Sequence, residues 1–148
     1  MLEFEEGREG LRRLIYASRY TGDGDFGETV RTIVGASIHN NRLVDVTGFL
    51  LAGEGAFLQW LEGPADGVEE TFARIAQDRR HADLVTISDG PAERRWFRDW
   101  NMGQHRLGPA DKALLSEAGL DAFDPANLGS ERAERLLTRA GERHLRDG

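Results

Sequence analysis

The pattern of apolar and polar positions predicts three alternating elements in the first third of the chain. Residues 11–18, LRRLIYAS, place Leu14, Tyr16 and Ser18 on one face, as the period of two in a strand requires. The polar run TGDGD then interrupts the pattern. A helical spacing follows and ends near HNN, 39–41, with Phe26, Val30, Ile33, Val34 and Ser37 on its stripe. Residues 46–53, VTGFLLAG, read as a second strand.

A tight hairpin is predicted next, at Gly53-Glu54-Gly55, and the third strand begins at residue 56. Pro64 suits the first turn of a second helix, whose apolar stripe is Val68, Phe72, Ile75 and Ala76. LVTIS, 84–88, reads as a fourth strand. RWFRDWNM, 95–102, is interpreted as a fifth strand with Trp100 and Met102 on one face.

This order is β-α-β-β-α-β with an extra strand, which is typical of an α+β, ferredoxin-like fold with two helices on one face of the sheet. In that fold the first and third strands are central neighbours, so Tyr16 and Gln59 are expected side by side. The fold supports many unrelated functions and does not select one.

Composition changes after residue 106, and we expect two units, a domain at 1–106 and a helical extension at 107–148. Helices are predicted at 109–118 and at 130–145. Isolated helices of this length are marginal in water, so both should pack on something. Two interpretations stay open, a surface cap on the domain and a surface for an oligomer or a partner protein.

Charge and cysteine content exclude several kinds of function. The net charge of −7 disfavours nucleic acid and anionic membranes as partners. No apolar run reaches the roughly 20 residues of a membrane span, and no signal peptide is recognisable, so the cytoplasm is the expected location. The chain has no cysteine, and its four histidines lack the spacing of ligand pairs, so no metal site is expected.

Residues 22–27, GDGDFG, match the glycine spacing of a dinucleotide-binding loop. Two aspartates beside a pyrophosphate are electrostatically unfavourable, and the hairpin that follows replaces the helical crossover which that motif needs. We therefore expect a loop in which Asp25 caps the first helix.

Gln59 is the polar residue that the apolar pattern leaves unexplained. It lies mid-strand between Phe57 and Leu61, and a buried amide without partners costs roughly 1–3 kcal/mol. Tyr16 can satisfy only part of the hydrogen-bonding capacity of this amide. The remaining bonding capacity faces the gap between the two helices, where Ile33 and Ile75 would flank a flat ring and Asn40 and Asn41 would reach its polar edge. From the residues alone, a ligand-binding ferredoxin-like domain is indicated.

The assembled motifs resemble the BLUF family of flavin-based blue-light sensors. The matching segments span about residues 11–106: LIYASR, 14–19; NNRLVDVTGFLL, 40–51; FLQWLEGP, 57–64; ARIAQDRRH, 73–81; and WNMG, 100–103. The resemblance implies a flavin held non-covalently between the helices, usually FAD, with FMN as the alternative.

The resemblance also implies roles for individual residues. Tyr16 and Gln59 match the photoactive pair, and Trp100 and Met102 match the pair that carries the signal. The implied flavin contacts are Ser18, Ile33, Asn40, Asn41, Arg74, Ile75, Asp78 and His81.

Light would rearrange hydrogen bonds around Gln59 without net reaction, so no enzyme activity is expected. The signal would pass through the fifth strand and the C-terminal helices to an unknown downstream protein or to a homo-oligomer. The alternatives are a flavin- or ligand-binding domain without photoactivity and, less favoured, a small ferredoxin-like enzyme.

Overall fold

The fold was analysed in a computed structural model, which describes the backbone of residues 10–147 and the side chains as far as residue 143. The first nine residues of the predicted domain 1–106 lie outside the described residues. The elements run in the order β1 Leu11–Tyr20, α1 Phe26–Leu43, β2 Thr47–Gly53, β3 Ala56–Pro64, α2 Ala65–Ala76, β4 His81–Pro91, β5 Gly103–Arg106, α3 Lys112–Glu117 and α4 Ser130–Asp147. Short 3₁₀ turns at Pro109–Asp111 and Pro125–Asn127 precede α3 and α4.

The five strands form one sheet in the order β4-β1-β3-β2-β5. β1 pairs antiparallel with β3 and β4, β2 pairs antiparallel with β3, and β2 pairs parallel with β5. The predicted ferredoxin-like arrangement is confirmed. The central pair is β1 and β3, and its register sets Tyr16 directly opposite Gln59.

Local sequence explains how the elements begin and end. Asp25 caps α1 as predicted, because its side chain accepts a hydrogen bond from the Glu28 amide at 2.9 Å. The β2–β3 hairpin turns at Glu54 and Gly55, with φ of 50° and 77°, as a two-residue turn of the primed type requires. α1 continues to Leu43, so Asn40 and Asn41 lie in its last turn and not after it.

Buried apolar side chains form two clusters, one on each face of the sheet. On the first face, α1 and α2 cover Leu14, Tyr16, Leu50, Phe57 and Leu61. On the other face, the segment after residue 107 covers Ile15, Phe49, Leu51, Leu58 and Trp60 with Leu114, Leu136, Leu137 and other residues. The C-terminal helices therefore cap the domain, and Trp60 packs in the same cluster as their side chains. No helix within residues 10–147 is both long and apolar enough to cross a membrane.

The fifth strand is the one element whose position was predicted wrongly. Residues 95–102 form turns and bends, and β5 begins at Gly103. The Trp96 and Phe97 amides donate to the Glu62 carboxylate, and the Trp100 amide turns back to the Phe97 carbonyl. Because these amides already donate to other acceptors, they cannot form hydrogen bonds to a neighbouring strand. Trp100 and Met102 consequently do not share a strand face.

Candidate functional site

A cleft opens between α1, α2 and the sheet, and its empty space, including the part that is open to solvent, is about 660 Å³. The sheet supplies its floor and the two helices supply its walls. Eleven of its lining residues come from the two helices, the turn after α2 and the start of β4. The full lining is Tyr16, Ile33, Ala36, Ser37, Asn40, Asn41, Leu50, Phe57, Gln59, Thr71, Arg74, Ile75, Asp78, Arg80 and His81.

Tyr16 and Gln59 form a buried hydrogen bond on the cleft floor. The Tyr16 hydroxyl donates to Gln59 Oε1, and the side chains are 3% exposed. Burial, with a smaller contribution from the Asp78 carboxylate, raises the pKa of the Tyr16 phenol far above its ordinary value. The phenol therefore keeps its proton and remains a donor. Phe72 packs edge-on against the ring, 5.4 Å between centroids, and limits its movement.

Met102 completes the environment of the Gln59 amide. Gln59 Nε2 lies 3.2 Å from Met102 Sδ, and Met102 is 4% exposed. Thioether sulfur is a weak acceptor with no proton to donate, so this contact suits the amide nitrogen and not the oxygen. The amide is thus oriented with its oxygen toward Tyr16 and its nitrogen toward Met102.

Trp100 lies on the opposite side of the sheet from Met102. Its ring packs 5.6 Å from Phe49 and 5.9 Å from Phe97, among the residues that α4 covers. The expectation that Trp100 and Met102 present one common face is wrong. A single residue, Asn101, separates Met102, whose side chain contacts Gln59, from Trp100, whose side chain lies beneath the C-terminal helix.

Asn41 connects the cleft to that same loop. Its side chain is 1% exposed, and Nδ2 donates to the Asn101 carbonyl at 2.8 Å. Asn101 in turn donates to the Val46 carbonyl at 3.1 Å. One donor of Asn41 is thus committed within the protein, whereas Asn40 lines the cleft further toward solvent.

The helix walls bring together the remaining predicted residues. Ile33 on α1 and Ile75 on α2 both line the cleft. At its mouth, Arg80 forms a two-pronged ion pair with Asp78, and this hydrogen bonding holds the pKa of the Asp78 carboxyl below its usual value. Arg74 pairs with Glu70, 3.3 Å away, and not with Asp78.

His81 lines the cleft, whereas Ser18 supports it from behind. His81 Nε2 lies 2.7 Å from the Ile75 carbonyl, so that nitrogen carries the proton. In the neutral ring, Nδ1 then accepts from the Ser18 hydroxyl at 2.7 Å. Ser18 therefore orients His81 and is not itself among the lining residues.

Sequence reasoning missed several lining residues, of which Thr71 and Arg80 are the polar ones that matter most. Arg80 lies inside a segment already singled out, and its proximity to Asp78 was a usable signal. Thr71 falls three residues after Val68 and four before Ile75, which places a hydroxyl on the apolar stripe of α2. A polar residue at such a position is the same kind of signal that drew attention to Gln59.

The cleft fits a flat heteroaromatic group. Its walls are aliphatic at Ile33 and Ile75, its floor offers the hydroxyl of Tyr16 and the amide of Gln59, and Asn41 adds an amide from α1. The buried Thr71 hydroxyl has no hydrogen-bond partner in the part of the chain that the structure describes, which indicates that a polar ligand atom belongs beside it. Charged groups cluster at the mouth, where an anionic tail would leave the cleft.

Comparison with known proteins points in the same direction. Residues 11–103 match the model of the family described as BLUF, sensors of blue light using FAD. Over 111 residues the chain is 30% identical to the photoactivated adenylate cyclase subunit beta of Euglena gracilis. That alignment covers 71% of this chain but only 13% of the relative, so the chain spans a small part of the length of such relatives.

Solved structures resemble the chain over most of its length. A BLUF protein, BlrB in its dark state, matches with a TM-score of 0.76 and 26% identity, covering 93% of this chain and 98% of BlrB. BlsA in its photo-activated state matches with a TM-score of 0.79 and 25% identity, covering 87% and 93%. Klebsiella pneumoniae BlrP1 with FMN and cyclic diGMP matches with a TM-score of 0.66 and 27% identity, covering 90% and 36%. With the family model matched across both helices, the cleft and the Tyr16–Gln59 pair, the chain belongs to the BLUF family of flavin-based blue-light sensors.

Proposed function

We propose that the chain binds a flavin in the cleft between α1 and α2 and signals blue light through the hydrogen bonds of Gln59. The observation that carries this proposal is the buried bond from Tyr16 to Gln59 Oε1. An amide on a cleft floor, held by a phenol on one side and by a thioether on the other, has a second orientation available by rotation about its terminal torsion.

A bound flavin supplies absorption of blue light and, once excited, the oxidising power to draw an electron and a proton from a neighbouring phenol. Tyr16 holds that proton in the dark, since burial disfavours its phenolate. Loss of the proton removes the donor that fixes Gln59 Oε1. Gln59 then reorients, and Tyr16 regains its electron and proton beside a changed hydrogen-bond pattern. The chain ends covalently unchanged, as a switch requires.

The flavin would be held by three groups of residues. Ile33 and Ile75 would flank its ring, and Asn40 and Asn41 would meet its polar edge. Arg74, Asp78 and His81 would lie along its tail, with Arg80 added to this group and Ser18 acting through His81. We propose FAD as the natural cofactor, in keeping with the family description, with FMN as the alternative.

The signal would leave the cleft through the loop between β4 and β5. Met102 contacts Gln59 on one face of the sheet, and Trp100 contacts the layer formed by the C-terminal helices on the other. A change at Gln59 that moves Met102 would therefore act on the far face. The receiver would be a separate protein or a second copy of the chain. The alignment covers only 13% of the Euglena gracilis relative that is named as a cyclase, so we do not carry a cyclase activity over to this chain.

Absorption spectroscopy before and after blue illumination tests the proposal. The purified chain should carry a flavin whose visible bands shift to longer wavelength in the light and recover in darkness. Tyr16→Phe and Gln59→Leu should each retain flavin and lose that shift. Tyr20→Phe is the matched control, because Tyr20 donates to the Gly24 carbonyl outside the cleft, and it should behave as the parent.

Three outcomes would contradict the proposal in different ways. A flavin that binds but shows no shift in the parent chain would indicate a binding domain without photoactivity. A folded chain that cannot be loaded with flavin would exclude both functions. A normal shift in Tyr16→Phe would remove the role assigned to the phenol.

A further inference from the structure

Thr71 places an unpartnered hydroxyl inside the cleft. It lies on α2, one turn before Ile75, and is 2% exposed. A threonine within a helix usually directs its hydroxyl to the carbonyl three or four residues earlier, yet Thr71 Oγ1 has no hydrogen-bond partner among the described residues. An unsatisfied buried hydroxyl costs roughly 1–3 kcal/mol, so the position calls for an explanation.

The other buried polar side chains of the cleft, and His81, already have hydrogen-bond partners. Tyr16 and Gln59 bond to each other, Asn41 bonds to the loop, and His81 bonds to Ser18 and α2. Among the described residues, the second buried side-chain atom without a partner is Arg13 Nε. Arg13 lies over the Trp60 ring, on the face away from the cleft. The unused hydrogen-bonding capacity of Thr71 is therefore specific to the cleft.

We propose that Thr71 is a cofactor-positioning residue whose hydroxyl donates a hydrogen bond to an acceptor atom of the bound flavin ring. This inference rests on the proposed function. The flavin ring system carries carbonyl oxygens and unprotonated ring nitrogens along its polar side, which are suitable acceptors for a hydroxyl donor. Ile75 shares the α2 stripe with Thr71 and supplies the apolar contact, so one helix face would offer both an apolar surface and a directional bond.

The proposal predicts opposite effects of one substitution on the flavin-free and flavin-bound chain. Thr71→Val keeps the branched shape and removes the hydroxyl. The flavin-free full-length chain should be as stable as the parent or more stable, because an unsatisfied buried group is lost. The dissociation constant for flavin should rise about three- to tenfold, which is the ordinary value of one hydrogen bond.

Three measurements test this with matched variants. Thermal unfolding is recorded for the flavin-free full-length chain, flavin affinity is titrated, and the dark absorption maximum of the bound flavin is recorded. Thr71→Ser, which retains the hydroxyl, should restore both the affinity and the absorption maximum. Thr32→Val makes the same substitution at an exposed position of α1 and should leave all three measurements unchanged.

The outcomes separate this inference from the function on which it rests. If the parent chain binds flavin and Thr71→Val changes neither its affinity nor its absorption maximum, the inference is wrong and the proposed function stands. If Thr71→Val destabilises the flavin-free chain, the hydroxyl has a structural partner and the inference is again wrong. If the parent chain binds no flavin, both proposals fail together.

Discussion

The side chain of Gln59 makes two hydrogen bonds of unequal strength. Tyr16 donates a conventional hydrogen bond to its oxygen, whereas Met102 offers its nitrogen only a weak sulfur acceptor at 3.2 Å. Reversing the amide would place its oxygen against the sulfur, which has no proton to donate. Met102 therefore favours the amide orientation seen in the structure. It does so because its sulfur can accept a hydrogen bond but cannot donate one, as well as by packing.

Met102→Leu removes this bias while nearly conserving volume. The amide nitrogen loses its acceptor in the dark orientation, so the reversed orientation becomes relatively more favourable. We expect the light-induced shift to persist and its dark recovery to slow several-fold, measured by absorption after a blue pulse. Leu84→Met is the control, since it makes a similar exchange at a position on β4 that packs on the same cluster, and β1 separates β4 from the strand of Gln59. Equal recovery in the parent and in Met102→Leu would show that the sulfur contact has no influence.

The central strands could be predicted from the sequence, whereas the loop before β5 could not. Strand alternation, the Glu54-Gly55 turn and the strand order together fix Tyr16 opposite Gln59. Residues 95–102 have an apolar content like that of a strand, but two of their amides donate to a side chain that is remote in sequence. Glu62, 34 and 35 residues away, accepts from Trp96 and Phe97. No local pattern predicts such a bond, and it decides on which side of the sheet Trp100 and Met102 lie.

Glu62 fixes the loop as one unit. Its carboxylate is fully buried and accepts from the Trp60 indole at 3.0 Å as well as from the two loop amides. Asn41, through the Asn101 carbonyl, and Gly48, through the Trp100 carbonyl, hold the far end. The segment carrying Met102 is thus attached to β3 at its start and to α1 and β2 at its end.

Glu62→Ala should lower the free energy of unfolding by roughly 2–5 kcal/mol, because three N–H donors, two of them in buried hydrogen bonds, lose their acceptor. Glu93→Ala, at an exposed position of the same loop, should change it by less than about 0.5 kcal/mol. Denaturant titration followed by circular dichroism measures both values. A Glu62→Ala variant as stable as Glu93→Ala would show that the loop holds its position without the carboxylate.

The whole molecule has three layers that share one sheet. The cleft helices cover one face, and the segment after residue 107 covers the other. β3 contributes alternate side chains to both layers: Phe57, Gln59 and Leu61 face the cleft, and Leu58 and Trp60 face α4. A boundary near residue 106 therefore separates two sequence regions whose side chains meet in a common core. Because the strands are shared, we predict that the cleft and the C-terminal helices unfold together.

Leu136→Ala tests this cooperativity. Leu136 on α4 is fully buried in the far cluster, so its truncation should cost about 2–5 kcal/mol. Leu43→Ala deletes the same atoms where the side chain is 71% exposed, and it should cost less than about 0.5 kcal/mol. Thermal unfolding is followed by circular dichroism and by release of bound flavin. If the layers are coupled, Leu136→Ala lowers both midpoints equally, although the residue lies across the sheet from the cleft. Circular dichroism could instead show an early, separate loss of helix while flavin release keeps the midpoint of the parent chain. In that case the C-terminal extension unfolds independently, and the loop that carries Trp100 and Met102 is its only coupling to the cleft.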